Sequence, residues 1–343
     1  MKNSFISDFI KQYPRSYILD RLERLKHLKV LVIGEAIIDE YNFGTALGKA
    51  AKDPILALKS ISTEAYAGGS LAVANHLAGF CQSVGLLAMV GELDSRLGLI
   101  KRSLKKNVRL MPIFKKGAPT IVKRRFLEVS PFQKLLEFYV MEDSAFDSEQ
   151  SGALIVKLKT LLPAYDLVIC CDFGHGMLDK GAREFLMRKA QFLAVTAQAN
   201  AGNFGYHTLS KYPSADYVCI DERELHLEAK DRHGDSLQLM HDMMKRLKYR
   251  NLILTKGESG CFVYQRGNGI LQVPSLTAQH KDRVGAGDAF LSITAPLLFQ
   301  KVPAAVTGFI GNAVGALAIN IVGNKQPILK EDLYKFISTL YQP

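Results

Sequence analysis

Cysteine is scarce in this sequence: five in 343 residues, at positions 81, 170, 171, 219 and 261, with no C-x-x-C pair among them. That spacing offers neither a disulfide framework nor a zinc knuckle, and the odd count fits free thiols in a reducing compartment, so a cytoplasmic location is expected. Residues 1–28 lack an apolar core and carry charge throughout, so no secretory signal is expected there. Acidic residues are absent from Lys101 to Arg125, where ten Lys and Arg fall. That block carries nearly all of the net charge of +11 and reads as a local anion-facing surface, with Lys101–Lys106 as a solvated helix face. No helix-turn-helix, RNP or zinc-finger signature accompanies it, so a nucleic-acid partner is not expected. Charge is also absent from Val302 to Asn324, a run long enough to span a bilayer. Asn312, Asn320, Thr307, Pro303 and four glycines within it favour a buried helix, and no membrane partner is expected.

What is present is core material. Apolar residues make up 48% and charged residues 22%, a globular composition. At about 150 residues per domain, the chain is one large domain or two ordinary ones. Tyr17, Ile18, Leu22, Leu25 and Leu28 fall at helical spacing, so residues 1–28 read as a lead-in helix on a domain spanning 29–343. Within that domain, short apolar runs at 30–33, 84–90, 166–171, 192–195, 217–220 and 251–254 read as buried strands. Helical patterns lie between most of them, and this alternation argues for an open, mainly parallel sheet with helices on both faces. Ligands in such sheets bind beyond the carboxyl ends of the strands. Residues 55–66 and 120–140 look like strands without intervening helices. They suggest a small β-lid, from about 41–66 and 108–140, able to close over a ligand. Lys123 and Arg125 alternate on it and share a face, suited either to a phosphate or simply to keeping an edge strand soluble.

The sharpest motif is Asp282-Arg-Val-Gly-Ala-Gly-Asp-Ala-Phe290, followed by a mostly apolar run to Phe299. Gly285, Ala286 and Gly287 just before a helix would present free N–H groups backed by the helix dipole, an anion cradle. Asp288, in the first turn, is either a helix cap or a general base aimed at what the cradle holds. It is not a Walker A loop, since no Lys-Ser/Thr follows.

With its companions, this motif resembles the ribokinase-like (PfkB) family of sugar kinases. Gly285-Ala-Gly-Asp288 is similar to the family's C-terminal signature and Gly68-Gly69 to its N-terminal one. Val32-Ile-Gly34 with Asp39 looks like the opening strand and the sugar-binding aspartate. Leu254-Thr-Lys-Gly-Glu-Ser-Gly260 is similar to the nucleotide-binding turn, and Asn312 falls where the family lines the nucleotide pocket. The matches run from about residue 30 to 325. The resemblance is strongest to the kinase half of bacterial heptose-phosphate kinase/adenylyltransferases, through Asp39-Glu-Tyr41, Lys52-Asp-Pro54 and Asp172-Phe-Gly-His-Gly176. The H-x-G-H motif of the adenylyltransferase half is absent from the sequence, and 343 residues leave little room for such a domain.

The resemblance implies a three-layer α/β/α ribokinase-like fold with a β-lid, and an ATP- and Mg2+-dependent kinase acting on a sugar, of which D-glycero-D-manno-heptose 7-phosphate is the suggested example. Asp288 would be the base and Gly285, Ala286 and Gly287 the anion hole. Asp39, Gly68, Gly69, Lys123 and Arg125 would bind the sugar. Asn75 would stand in for an asparagine that the family carries where this chain has Ala72. Asp221, Glu224, Thr255, Gly257, Gly260 and Asn312 would serve the nucleotide, with Glu224 reaching magnesium through water and Asp282 holding a monovalent cation such as K+. Expected partners are the sugar or phosphosugar, a separate adenylyltransferase, and a second copy through the lid. The alternatives are a kinase of an unphosphorylated sugar or nucleoside, and a non-catalytic ligand-binding homologue.

Overall fold

A computed structural model describes residues 2–277 and 281–342. The described residues form twelve strands: β1 (Lys29–Lys49), β2 (Leu56–Gly69), β3 (Ser83–Gly91), β4 (Val108–Lys115), β5 (Ile121–Glu128), β6 (Gln133–Val140), β7 (Leu167–Asp172), β8 (Leu193–Ala197), β9 (Ser214–Asp221), β10 (Lys248–Thr255), β11 (Cys261–Gln265) and β12 (Gly269–Val273). The helices are α1 (Lys2–Gln12), α2 (Arg15–Glu23), α3 (Ser70–Ala78), α4 (Leu97–Ser103), α5 (Ser148–Leu161), α6 (Lys180–Lys189), α7 (Glu222–Ala229), α8 (Ser236–Arg246), α9 (Ala286–Phe299), α10 (Ala304–Ala318) and α11 (Lys330–Leu340).

The main sheet runs β12-β11-β10-β9-β8-β7-β1-β3-β4. All its pairs from β10 to β4 are parallel; β11 and β12 close one edge antiparallel. Helices cover both faces, the three-layer arrangement expected of strands buried on two sides. Strand β1 does two jobs. Its first half pairs with β3 and β7 in the main sheet, and from Ala36 onward it pairs with β2 and β5. With β6 beside β5, these strands form the four-stranded lid. One continuous strand therefore carries the chain from core to lid, and Asp39 sits just beyond the changeover.

Two sequence expectations need correction. Residues 1–28 hold two helices, because Pro14 lacks an N–H and fixes an extended entry into α2. Ile18, Leu22 and Leu25 are nevertheless buried as the spacing suggested. Val108–Lys115 belongs to the edge of the main sheet, paired in parallel with β3, so the second lid segment starts at Ile121. The β11–β12 hairpin was unassigned, although Arg266-Gly-Asn-Gly269 is a turn sequence of the kind that favours tight hairpins. The uncharged run at 302–324 forms α10, of 15 residues and largely buried. Among the described residues no helix is long and apolar enough to cross a membrane. All five cysteines are free and buried.

Candidate active site

A cleft of about 920 Å³ opens where β7 to β10 end, between the main sheet and the lid. Phe173, Thr196, Asp221 and Thr255, at or just beyond those strand ends, line one wall. The location is the one that a parallel open sheet dictates.

The cleft floor is the N-terminus of α9. Gly285 precedes it with φ +82°, in the left-handed region, and a Cβ there would meet the Asn324 side-chain oxygen at 2.1 Å. Both constraints require glycine. Helix geometry leaves the first amides of α9 without intrahelical acceptors; that of Ala286 makes only a long 3.4 Å turn bond to the Arg283 carbonyl. Gly285, Ala286, Gly287 and Asp288 all face the cleft. No hydrogen bond holds the Asp288 carboxylate among the described residues, which leaves the helix-cap reading without support. Burial of its surroundings, reinforced by the Asp39 charge and opposed by Lys123, pushes Asp288 up to about 7.

The lid side is built around Asp39, only 4% exposed. Its Oδ1 accepts from Arg125 Nη1 at 2.6 Å and its Oδ2 from Asn324 Nδ2 at 2.8 Å. Gly68 lies directly behind it: a Cβ there would stand 2.2 Å from Asp39 Oδ2. Gly69 itself lines the cleft. Arg125 also donates from Nε to Glu137 at 2.8 Å, so its charge is shared between two carboxylates. Lys123 is different. It is buried, faces the cleft and lies over the Tyr139 ring at 5.4 Å, and among the described residues it has no ion-pair partner. Burial pushes its ammonium below the ordinary lysine range, with the Asp39 charge pulling the other way. Arg124 points to the opposite face and pairs with Glu40 at 2.7 Å.

At the other end, Asp221 and Glu224 open α7 as a reciprocal capping box, with Glu224 N donating to Asp221 Oδ1 at 2.8 Å and Asp221 N donating to Glu224 Oε2 at 3.0 Å. Burial, then the Asp221 charge, push Glu224 up to about 8, with Asp288 adding to the rise. Mutually repelling carboxylates on one wall suit a cation. Among the described residues no three metal-ligating side chains cluster tightly enough to hold a metal ion directly, so a cation at this wall would be held through water. Thr255, Gly257, Gly260 and Asn312 line this end. Asn312 donates to the carbonyls of Val273 and Pro274, fixing the segment after β12.

Two expected residues do not serve as expected. Asn75 is spent within the core, donating to the Ser103 carbonyl and accepting from Lys105 N, and it does not line the cleft. Asp282 does not fit a monovalent cation: its carboxylate already takes four donors, one of them the Lys134 ammonium. Sequence reasoning passed over Asn324, Glu137, Tyr139, Lys134 and Asn200. Asn200 joins the site by donating to the Phe173 carbonyl at 2.9 Å, in the loop that Glu35 pins through the amides of Phe173 and His175.

The sequence matches the pfkB family carbohydrate kinase pattern over residues 27–330. The chain is a PfkB-family carbohydrate kinase. As such, the kinase is a phosphotransferase with a hydroxyl acceptor. It is 24% identical over 304 residues to the bifunctional protein HldE of Shewanella sp. (strain ANA-3), covering 88% of this chain and 62% of the relative. To the HldE protein of Haemophilus ducreyi it is 25% identical over 310 residues, with the same coverage. The kinase thus spans a little under two thirds of these relatives. Among solved structures, it is similar to phosphofructokinase-2 from Escherichia coli in complex with fructose-6-phosphate (TM-score 0.72, 14% identity, 92% of this chain and 100% of that one). It is also similar to Arabidopsis thaliana ribokinase complexed with ribose and ATP (TM-score 0.67, 15% identity, 91% and 99%). The fold of the kinase is therefore ribokinase-like.

Proposed function

We propose that this kinase transfers the γ-phosphoryl group of ATP to a hydroxyl of a phosphorylated sugar, with D-glycero-D-manno-heptose 7-phosphate as the specific candidate. The supporting observation is Lys123: a buried ammonium facing the cleft, beside the Asp39 that would hold sugar hydroxyls, with no carboxylate in ion-pair contact among the described residues. The HldE relatives and the phosphosugar complex of a structural neighbour point the same way.

In this reading the acceptor sugar lies between Asp39 and Asp288. Asp288 accepts the proton of the attacking hydroxyl. Phosphoryl transfer has a loose transition state with charge spread over the moving group, so positioning and electrostatics do most of the work. The amides of Gly285, Ala286 and Gly287 meet that charge, and one such donor is worth about 10²–10³ in rate. Asp221, Glu224, Thr255, Gly257, Gly260 and Asn312 form the nucleotide end. Magnesium, held there through water by Asp221 and Glu224, would neutralise the phosphate oxygens of ATP. No monovalent cation is assigned to Asp282.

A second reading, an unphosphorylated sugar, has one observation in its favour: Arg125 is already shared between Asp39 and Glu137. A panel of sugars with and without phosphate, offered with ATP and magnesium and read by ADP formation, separates the two. Phosphosugars should be preferred, and Lys123→Ala should raise their KM. Equal turnover of the unphosphorylated sugars, with a KM indifferent to Lys123, would favour the second reading.

We also propose a second copy of the chain as a partner and a cytoplasmic location. Leu136 and Phe138, each more than half exposed on the lid, support pairing with a second copy. Light scattering should give a dimer mass that falls on Leu136→Glu. The buried free thiols support a cytoplasmic location.

A further inference from the structure

The Asp282 carboxylate is a junction of four segments. It is 3% exposed. Its Oδ1 accepts from Lys134 Nζ at 2.5 Å and from Val284 N at 3.1 Å. Its Oδ2 accepts from Tyr41 Oη at 3.0 Å and from Gly323 N at 2.9 Å. Lys134 lies on β6 and Tyr41 on β1, both in the lid. Val284 is the residue before the cradle glycine Gly285. Gly323 precedes Asn324, which holds Asp39 and packs against Gly285. Lys134 is the one cation paired with Asp282 among the described residues. A second link runs in parallel: Lys325 pairs with Glu64 of β2 at 2.8 Å, and Val322 packs on the buried lid cluster of Tyr41, Tyr66 and Leu127.

We infer that Lys134 is a positioning residue that fastens the lid to the anion cradle through Asp282, its tethered ammonium filling the place that a free monovalent cation would need at that carboxylate. The inference rests on the reading of residues 285–287 as the cradle. A buried carboxylate stripped of its paired ammonium would shed or reorient its remaining neutral donors. Two of those donors are the amides that set the cradle loop and the Asn324 turn. The consequence is felt at the reacting phosphoryl group, not at the nucleotide end. Small displacements of such machinery cost rate more than binding.

The test compares wild type, Lys134→Ala, Lys134→Met and Asp288→Asn. It measures ADP release from magnesium ATP with the panel sugar of highest turnover, and amide exchange in peptides covering 282–290. Lys134→Ala should lower kcat roughly 10–100-fold while the KM for ATP stays within about twofold. Amide exchange in 282–290 should quicken. Propylammonium, which replaces the missing stem and head, or potassium should restore part of the rate of Lys134→Ala. Lys134→Met keeps the apolar stem and guards against a variant that folds poorly; it should lose rate and resist propylammonium. Unchanged kcat and unchanged exchange in both variants would overturn the inference, as would a rate loss in folded Lys134→Ala that neither cation relieves. If Asp288→Asn also kept full turnover, the cradle reading would fall and this inference with it. A dead Asp288→Asn beside normal Lys134 variants would remove the Lys134 role alone.

Discussion

The two ends of the cleft are built differently. At the end proposed for the nucleotide the wall residues come in short contiguous runs, 221–224 and 255–260. Their charged side chains are largely paired near the surface, as in Arg283–Glu258 at 2.8 Å and Lys256–Glu222 at 3.0 Å. At the lid end the partners are far apart in sequence and buried. Asp39 meets Arg125, 86 residues on, and Asn324, 285 residues on. The first end is built from strand ends, the first turn of α7 and the turn after β10. The second exists only when lid, strand changeover and C-terminal turn come together, so its electrostatics depend on closure and its residues answer more severely to substitution.

The lid end should therefore break first. Arg125→Ala strands the Asp39 carboxylate, and removing one partner of a buried pair costs about 3–5 kcal/mol. Chemical denaturation should show that loss together with a large rise in the sugar KM. A loss below about 1 kcal/mol would mean that Asp39 is solvated and the two ends are alike.

Lys123→Ala tests the same end through pH. Asp288 works as a base only when ionised, so kcat/KM falls on the acid side through a pKa near 7. Lys123 lowers that value, so its removal should move the acid limb to higher pH. It should also raise the phosphosugar KM by about 10-fold or more, as loss of a charge-assisted contact does. An unmoved limb would separate Lys123 from Asp288.

Asp288 also carries a stability cost. A carboxyl raised above its unfolded value of about 3.9 adds stability below that pH and loses it as pH rises through its folded value near 7. Asp288→Asn, which mimics the neutral form, should gain stability over wild type from about pH 4 to 7 and hold the gain above it. A gain of about 1 kcal/mol would raise Tm by roughly 1–2 °C in a chain of this size. The smallest effect belongs to the nucleotide end: Arg283→Ala breaks an exposed pair and should leave the KM for ATP within about twofold, because such pairs contribute little. A tenfold change there would erase the contrast between the ends.

The same contrast explains what could be read from the sequence. Gly285-Ala-Gly-Asp288 is local chemistry, a helix start that spacing reveals; Asp221 and Glu224 came from the family resemblance, and the capping box they form is a finding of the structure. The alternation that put Lys123 and Arg125 on one face held, with Arg124 opposite on Glu40. Asn324, Glu137 and Lys134 were invisible because their roles come from tertiary partners that no spacing encodes. Asn75 misled for the matching reason. It lies one helical turn beyond the expected position, but α3 turns its amide toward Ser103 and Lys105. Val108–Lys115 was given to the lid because a strand without a following helix looks the same whether it ends the main sheet or begins a flap.

The most direct measurement is phosphoryl transfer by Asp288→Asn beside its nucleotide binding. ADP release in the presence of the sugar should drop about 10²–10⁴-fold while calorimetry shows ATP bound as by wild type. Turnover at the wild-type rate would show that the carboxyl group at the start of α9 does not act on what the glycine amides hold.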